Sequence, residues 1–256
     1  MSDTDKPTFV ATYDPEGERD ARLSKRFYKV AASAKRDDGF AIILDDRELK
    51  TPGRTAVRVP NAELGEAVAA EWEAQASHID PSTMPRTRIV TTAIDRVSLD
   101  NGPAIDEIVG YAGTDLVCYR ADDPEELVAL QGQAWDPLLE WFAGATGTRL
   151  KATSGIIHVQ QDDDALRQVG LLLNEVDPIS LTALHTLVTL SGSAVVGLAM
   201  LKGHLNAKDA YAASRVDETF QIKKWGEDEE AAERAAFHKV EFDAAAEVLR
   251  LLGRLS

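Results

Sequence analysis

The residues whose types could do chemistry lie in one short run, residues 215–225. Asp217 and Glu218 are adjacent carboxylates there, and Phe220 and Trp225 flank them. Two carboxylates in an aromatic cleft can have pKa values that are pushed apart, as acid–base catalysis requires. Neighbouring helical side chains point about 100° apart, however, so the pair is poorly arranged to act on one substrate. A small-molecule enzyme that uses an Asp217/Glu218 acid–base pair stays open as the second hypothesis.

Glu218 also interrupts an apolar helical face. The other members of that face are Tyr211, Ile222 and Trp225. A carboxylate among them predicts either a polar anchor for a partner's basic or amide group, or an ion pair with Arg215 three residues earlier. The helix should end at Gly226. An apolar strip on its opposite side (Ala213, Val216 and Phe220) predicts packing on both faces.

No other chemistry-bearing pattern is complete. Residues 192–197 have the glycine spacing of a phosphate loop, but Leu198 and Ala199 stand where lysine and serine or threonine are required. The histidines do not share a metal-binding spacing with carboxylates or with Cys118. The sequence therefore predicts neither a cofactor nor a metal.

Composition narrows the possible partners. The 256 residues, 44% apolar, are enough for two domains. A net charge of −15, spread along the chain, gives no footprint for nucleic acid or an anionic membrane. The single cysteine, Cys118, excludes an intramolecular disulfide and is expected in the core. The first residues have the pattern of neither a signal nor a transit peptide, which predicts a cytoplasmic protein.

Residues 179–201 carry no charge and are long enough to span a bilayer. Their serines and threonines, with no flanking Trp or Tyr belt, favour a buried helix over membrane insertion. Gly192 and Gly197 should let another helix approach closely. A membrane-associated adaptor is the third hypothesis.

The hydrophobic pattern predicts an α+β fold of two domains after a flexible arm of residues 1–23. Residues 24–122 should form a β-rich N-terminal domain, with an antiparallel meander of four strands and a helix capped by Asn61. The predicted strands are residues 27–30, 40–44, 48–51 and 57–59, and the further predicted helices of this domain are 87–97 and 104–112. Residues 116–119 should return to the meander as a last strand.

Residues 123–256 should form a larger all-α domain. Asp123 is the expected cap of its first helix, with Pro124 in the first turn and a kink or restart at Pro137. The buried face of that helix is expected to contain Leu127, Leu130, Ala134, Leu138 and Trp141. Residues 156–159 read as an extended connector. The remaining predicted helices span residues 163–174, 180–202, 206–225 and 229–252.

Several longer motifs resemble those of the ATP synthase F(1) assembly chaperones that act on the alpha subunit, the ATP12-type family of mitochondria and alphaproteobacteria. Together the motifs cover roughly residues 25–245, which makes them far more specific than one short pattern. They are KRFY at 25–28, LDDRELKTP at 44–52, EWEAQ at 71–75, MP at 84–85, TAID at 92–95, TDLVCYR at 114–120, WDP at 135–137, DETFQ at 217–221 and WG at 225–226.

The resemblance implies a helper without catalysis or cofactor that holds newly made alpha subunit and masks its subunit interface. With no transit peptide, it implies a bacterial, cytoplasmic member, and we expect a monomer. We expect Glu218 to be the polar anchor of the client-binding residues, which are Arg215, Asp217, Glu218, Phe220 and Trp225. Trp72 and Gly226 are expected to be structural.

Overall fold

The computed structural model describes residues 23–155 and 158–255. The predicted arm therefore lies outside the described residues except for Leu23, and so does the first half of the predicted connector, Ile156 and Ile157. The predicted α+β class is confirmed: small antiparallel sheets come first and a helical region follows.

The meander is built on one hairpin. Strand β2 (Ala31–Arg36) pairs antiparallel with β3 (Gly39–Leu44), in the register that places Ala31 opposite Leu44. Strands β4 (Arg47–Glu48) and β5 (Arg58–Val59) both pair with β3. A separate pair joins β1 (Ser24–Lys25) to β6 (His78–Ile79).

The prediction of a strand at residues 27–30 is wrong, because contacts with residues distant in sequence occupy this segment. Tyr28 turns into the core, and its hydroxyl donates a 2.6 Å hydrogen bond to the backbone carbonyl of Trp72. The backbone N–H groups of Lys29 and Val30 donate to the carboxylate of Asp45, at 2.9 Å each. These donors are used by a side chain, so no strand ladder forms.

Helix α1 (Ala62–Glu73) packs on β2 and β3, and Asn61 caps it as predicted by accepting the N–H of Leu64. Helix α2 (Pro85–Thr92) has no side-chain cap of its own; instead the carboxylate of Glu71 in α1 accepts the N–H groups of Arg86 and Thr87 at 2.9 and 2.7 Å. The described residues contain eight further α-helices: α3 (Gly102–Gly113), α4 (Glu125–Thr146), α5 (Asp163–Leu173), α6 (Pro178–Ser191), α7 (Ala194–Leu201), α8 (Ala207–Ser214), α9 (Val216–Trp225) and α10 (Glu229–Leu251). Helix α2 spans Pro85–Thr92 and continues into a π-helical turn, Ala93–Val97.

The helix predicted at 180–202 is two helices. Gly192, with φ of 69°, ends α6, and the hydroxyl of Ser193 accepts the N–H of Val196 to start α7. Both helices are buried, and α6 packs against α2, α3, α7 and α10. Across the described ranges, no helix is long and apolar enough to cross a membrane.

Two further predictions near the predicted domain boundary are wrong. Residues 116–118 form a 3-10 turn, and the strand after it, β7 (Tyr119–Arg120), pairs in parallel with β8 (Thr153–Ser154) rather than with the meander. Asp123 does not cap α4, which begins at Glu125 after Pro124, and Pro137 lies inside that continuous helix. The boundary between residues 122 and 123 falls in the loop between β7 and α4 and stays a prediction.

Candidate functional site

The helix predicted at 206–225 breaks at Arg215, which separates α8 from α9. The proposed apolar face is therefore not continuous: Tyr211 lies on α8, half-buried against the ring of Phe242, whereas Ile222 and Trp225 lie on α9 and are exposed. The expectation of packing on both faces of this helix is wrong. Trp225 is 77% exposed, so this face of α9 is a surface.

The opposite strip is the one that packs, as its apolar pattern predicts. Phe220 is only 3% exposed, Ala213 is buried and Val216 packs against the core. Phe220 therefore supports the helix from beneath and does not present its ring to a partner.

Helix α9 runs antiparallel along the first half of α4, and polar contacts fix its position. The side-chain amide of Gln131 donates to the Oδ1 atom of Asp217 at 2.7 Å, while its Oε1 atom accepts the N–H of Ala121. The indole N–H of Trp135 donates to the carbonyl of Ala213 at 2.7 Å. Gln131 and Trp135 are both buried, so these bonds lock the α8–α9 corner onto α4.

An exposed ion cluster joins the other ends of the two helices. Glu126 of α4 lies 3.0 Å from the Nζ atom of Lys223 and 3.1 Å from that of Lys224. The hydrogen bond from Lys223, followed by that from Lys224, lowers the pKa of the Glu126 carboxyl. The Lys224 ammonium also lies 5.4 Å from the centre of the Phe220 ring.

Glu218 stands on this helix with its side chain 47% exposed. Its Oε1 atom lies 3.5 Å from the Nη1 atom of Arg215, a long ion pair between residues three apart. Much of the carboxylate is thus open to a partner, while its loose contact with Arg215 costs little to exchange.

The two carboxylates do not form an acid–base pair in this arrangement. Asp217 is held by the buried amide of Gln131, and Glu218 points to Arg215. Among residues 23–155 and 158–255, no group of three or more metal-binding side chains occurs. What the arrangement offers is a contact surface.

The neighbouring helix α4 also carries two exposed apolar side chains, Val128 and Leu130, which point about 200° apart around its axis. We call the exposed set Val128, Leu130, Glu218, Ile222 and Trp225 the α4–α9 surface. Single exposed apolar residues are ordinary, whereas Glu218, Ile222 and Trp225 share one face of α9, and this face is the candidate contact site.

The predicted buried face of α4 is right at Leu138, and Ala134 and Trp141 pack against the core, but the prediction is wrong at Leu130. It also missed the contacts that Gln131 and Glu126 make with α9. The buried positions are Gln131, Trp135, Leu138 and Phe142, whereas Leu130 is exposed. Their spacing of four, three and four residues was available as a signal, but a glutamine in the first position conceals it.

The two expected structural residues lie in different parts of the chain. Gly226, with φ of 88°, ends α9, and its N–H bonds to the carbonyl of Ile222. Trp72, on α1, packs beside Tyr28, and the centres of the two rings are 5.8 Å apart. Cys118 is buried, as predicted.

Comparison with known proteins relates this architecture to a family. Residues 25–143 match the family model for the ATP12 chaperone protein. The crystal structure of Atp12 from Paracoccus denitrificans is 41% identical, covers 89% of this chain and 98% of its own, and superposes with a TM-score of 0.82. The chain belongs to the ATP12 chaperone family.

Two further ATP12 relatives agree. A protein from Agrobacterium tumefaciens, described as a candidate chaperone, is 40% identical with a TM-score of 0.84, covering 90% of this chain and 87% of its own. Protein atp12 of mitochondria from Schizosaccharomyces pombe is 27% identical over 221 residues, 82% of this chain and 76% of that protein. The match to the ATP12 family model ends at residue 143, near the end of α4 and before α9, so the α4–α9 surface combines matched residues of α4 with residues beyond the match.

Proposed function

We propose that this chain is a chaperone for assembly of the F(1) sector of ATP synthase, and that it binds the unassembled alpha subunit and masks the interface which later meets another subunit. Membership of the ATP12 family is the observation that carries the proposal. It acts in the bacterial cytoplasm as a monomer, without catalysis or cofactor.

The proposed mechanism is occlusion. A subunit interface that is exposed before assembly is apolar and aggregates, and covering it suppresses that route. The α4–α9 surface supplies the matching features: Trp225 and Ile222 are exposed apolar groups on a helix held rigidly by Gln131 and Glu126. Rigid exposed aromatics are the usual centres of protein interfaces.

Glu218 adds the polar part of this proposal. Its half-exposed carboxylate can accept hydrogen bonds from a basic or amide group of the client. These bonds would replace its long ion pair with Arg215. Asp217 and Phe220 then support binding indirectly, because their side chains fix α9 on α4 without contacting the client.

The test measures how far the protein suppresses aggregation of purified alpha subunit. Light scattering monitors the aggregation, and no nucleotide is present. We expect full suppression near an equimolar ratio, because one helper covers one interface. Trp225→Ala should weaken it severalfold, whereas Leu99→Ala, which truncates an 80% exposed side chain outside this surface, should not. A requirement for ATP hydrolysis, or no suppression by the parent protein, would contradict the proposal.

A further inference from the structure

A second apolar feature lies on the N-terminal part of the molecule, away from the α4–α9 surface. A groove of about 850 Å³ opens between the β1–β6 pair and the β3–β4 hairpin. Its apolar lining consists of Leu23, Phe27, Leu44, Leu49, Trp72, Ile79 and Pro81. Pockets of about 300–1,000 Å³ hold ligands of the size of a few side chains, so the groove suits a peptide segment.

The polar groups of the groove favour an acidic segment. Arg47 and Lys50 line it, are exposed and make no ion pair with any described residue. The acid between them, Glu48, is already held by Arg58 and Arg36, each at 2.7 Å. The groove therefore presents, beside its apolar lining, two positive charges that no carboxylate of the described residues pairs.

Trp72 adds a directional donor. Its indole N–H is buried and has no acceptor within the described part of the chain. A buried donor without a partner destabilises the folded state, and an extended peptide placed along Trp72 supplies carbonyl acceptors.

The chain itself contains a segment with these properties, attached at the groove. Residues 1–22 lead directly into Leu23 and Ser24, which line it. They contain six acidic and three basic side chains, and two aromatic rings, Phe9 and Tyr13. Tyr13 is ten residues before Leu23, a reach of up to about 33 Å, and so short a tether gives an effective concentration of roughly millimolar.

We propose that residues 1–22 dock in this groove of their own chain, with the aromatic rings of Phe9 or Tyr13 in the apolar part and their carboxylates toward Arg47 and Lys50. The segment then acts as a ligand within the same chain that covers exposed Phe27 and half-buried Trp72. This inference does not depend on the identity of the client.

Disulfide trapping in the full chain tests the docking. The variant Val10→Cys/Pro81→Cys places one thiol in the segment and one at the groove, and Val10→Cys/Leu99→Cys places the second thiol at an exposed site outside the groove lining. Cys118 should not interfere, since it is buried and burial raises the pKa of its thiol to about 12.

We expect the groove pair to form an intrachain disulfide at least tenfold faster than the control pair under mild oxidation. Equal rates would overturn the proposal and leave the groove for a client segment. Disulfide-linked dimers in place of the intrachain product would also overturn it, because the occupant would then be a second copy. If Pro81→Cys lowers the Tm, Phe27→Cys serves as the groove position, because Phe27 lines the groove and is exposed.

A charge reversal adds a second readout. In the groove-pair variant, Arg47→Glu/Lys50→Glu should slow disulfide formation severalfold. The matched reversal Lys35→Glu/Lys208→Glu changes the net charge equally at exposed positions outside the groove and should leave the rate unchanged. Equal slowing by both reversals would show a general charge effect and overturn the assigned role of Arg47 and Lys50.

Discussion

Glu218 makes one long ion pair, and about half of its side chain is open to solvent. The exchange Glu218→Gln keeps its shape, so we expect the free energy of unfolding to change by only a few tenths of a kcal/mol. If Glu218 anchors the client, binding to the alpha subunit should weaken by about 1–3 kcal/mol. Thermal melts and titration calorimetry measure the two effects separately. Unchanged binding at native stability would remove Glu218 from the proposed contact residues.

Asp115 is a second residue whose behaviour follows from its position. It precedes the 3-10 turn at residues 116–118 and is fully buried beside the first residues of α7. There its carboxylate accepts hydrogen bonds from the Ser193 hydroxyl at 2.5 Å and the Val195 N–H at 3.0 Å. Burial raises the pKa of Asp115 to about 6, although these donors act in the opposite direction. Between its unfolded pKa of 3.8 and about 6, the folded state therefore binds more protons than the unfolded state, and this group's contribution to stability falls as pH rises.

Asp115→Asn removes that titration. The unfolding free energy of the parent minus that of the variant should increase by about 2 kcal/mol as the pH is lowered from about 6 to about 4. Other carboxyls titrate in both proteins, so the difference isolates this site. Chemical denaturation at stepped pH checks it, and a constant difference would show that Asp115 has the same pKa in both states.

At the scale of elements, the contact between α6 and α7 depends on Gly197. A Cβ atom there would lie 2.6 Å from the Cγ2 atom of Val188 and 3.0 Å from the Cδ1 atom of Leu184. Gly197→Ala should therefore destabilise the protein by about 1–3 kcal/mol through overpacking. Gly110→Ala is the matched control: Gly110 is exposed in α3 with open space around its Cβ position, so higher helix propensity should stabilise by up to about 1 kcal/mol. Urea denaturation measures both, and equal effects would contradict the close-packing argument.

At the scale of the whole molecule, α6 and α7 form the centre on which other helices pack. Val188 and Val195 are fully buried there. A lysine at either position would bury an unpaired charge, so Val188→Lys or Val195→Lys should prevent stable folding. Leu171→Lys is the control, since Leu171 is about half exposed on α5. Circular dichroism and the recovery of folded protein compare them, and a native melt for Val195→Lys would contradict the assignment of this segment to the core.

Part of the order of elements could be predicted from the sequence, where a local signal determines it. Asn61 supplies a helix cap, β3 begins at Gly39 directly after the predicted turn, and Gly226 ends α9. The family motifs could likewise be recognised from the sequence, and the comparisons confirm the family. The incomplete phosphate loop is also evident from the sequence alone.

Which faces are buried depends on contacts distant in sequence, so only the tertiary structure decided it. The break at Arg215 turns α9 onto α4, where Asp217 meets Gln131, 86 residues earlier. That docking buries Phe220 and leaves Trp225 in solvent, although both rings belong to one helix. Helical periodicity fixes which side chains share a face, but a neighbouring helix determines whether the face is covered. The sequence by itself therefore placed Glu218, Ile222 and Trp225 on one helical face, and the fold determined that Ile222 and Trp225 lie in solvent while Phe220 is buried.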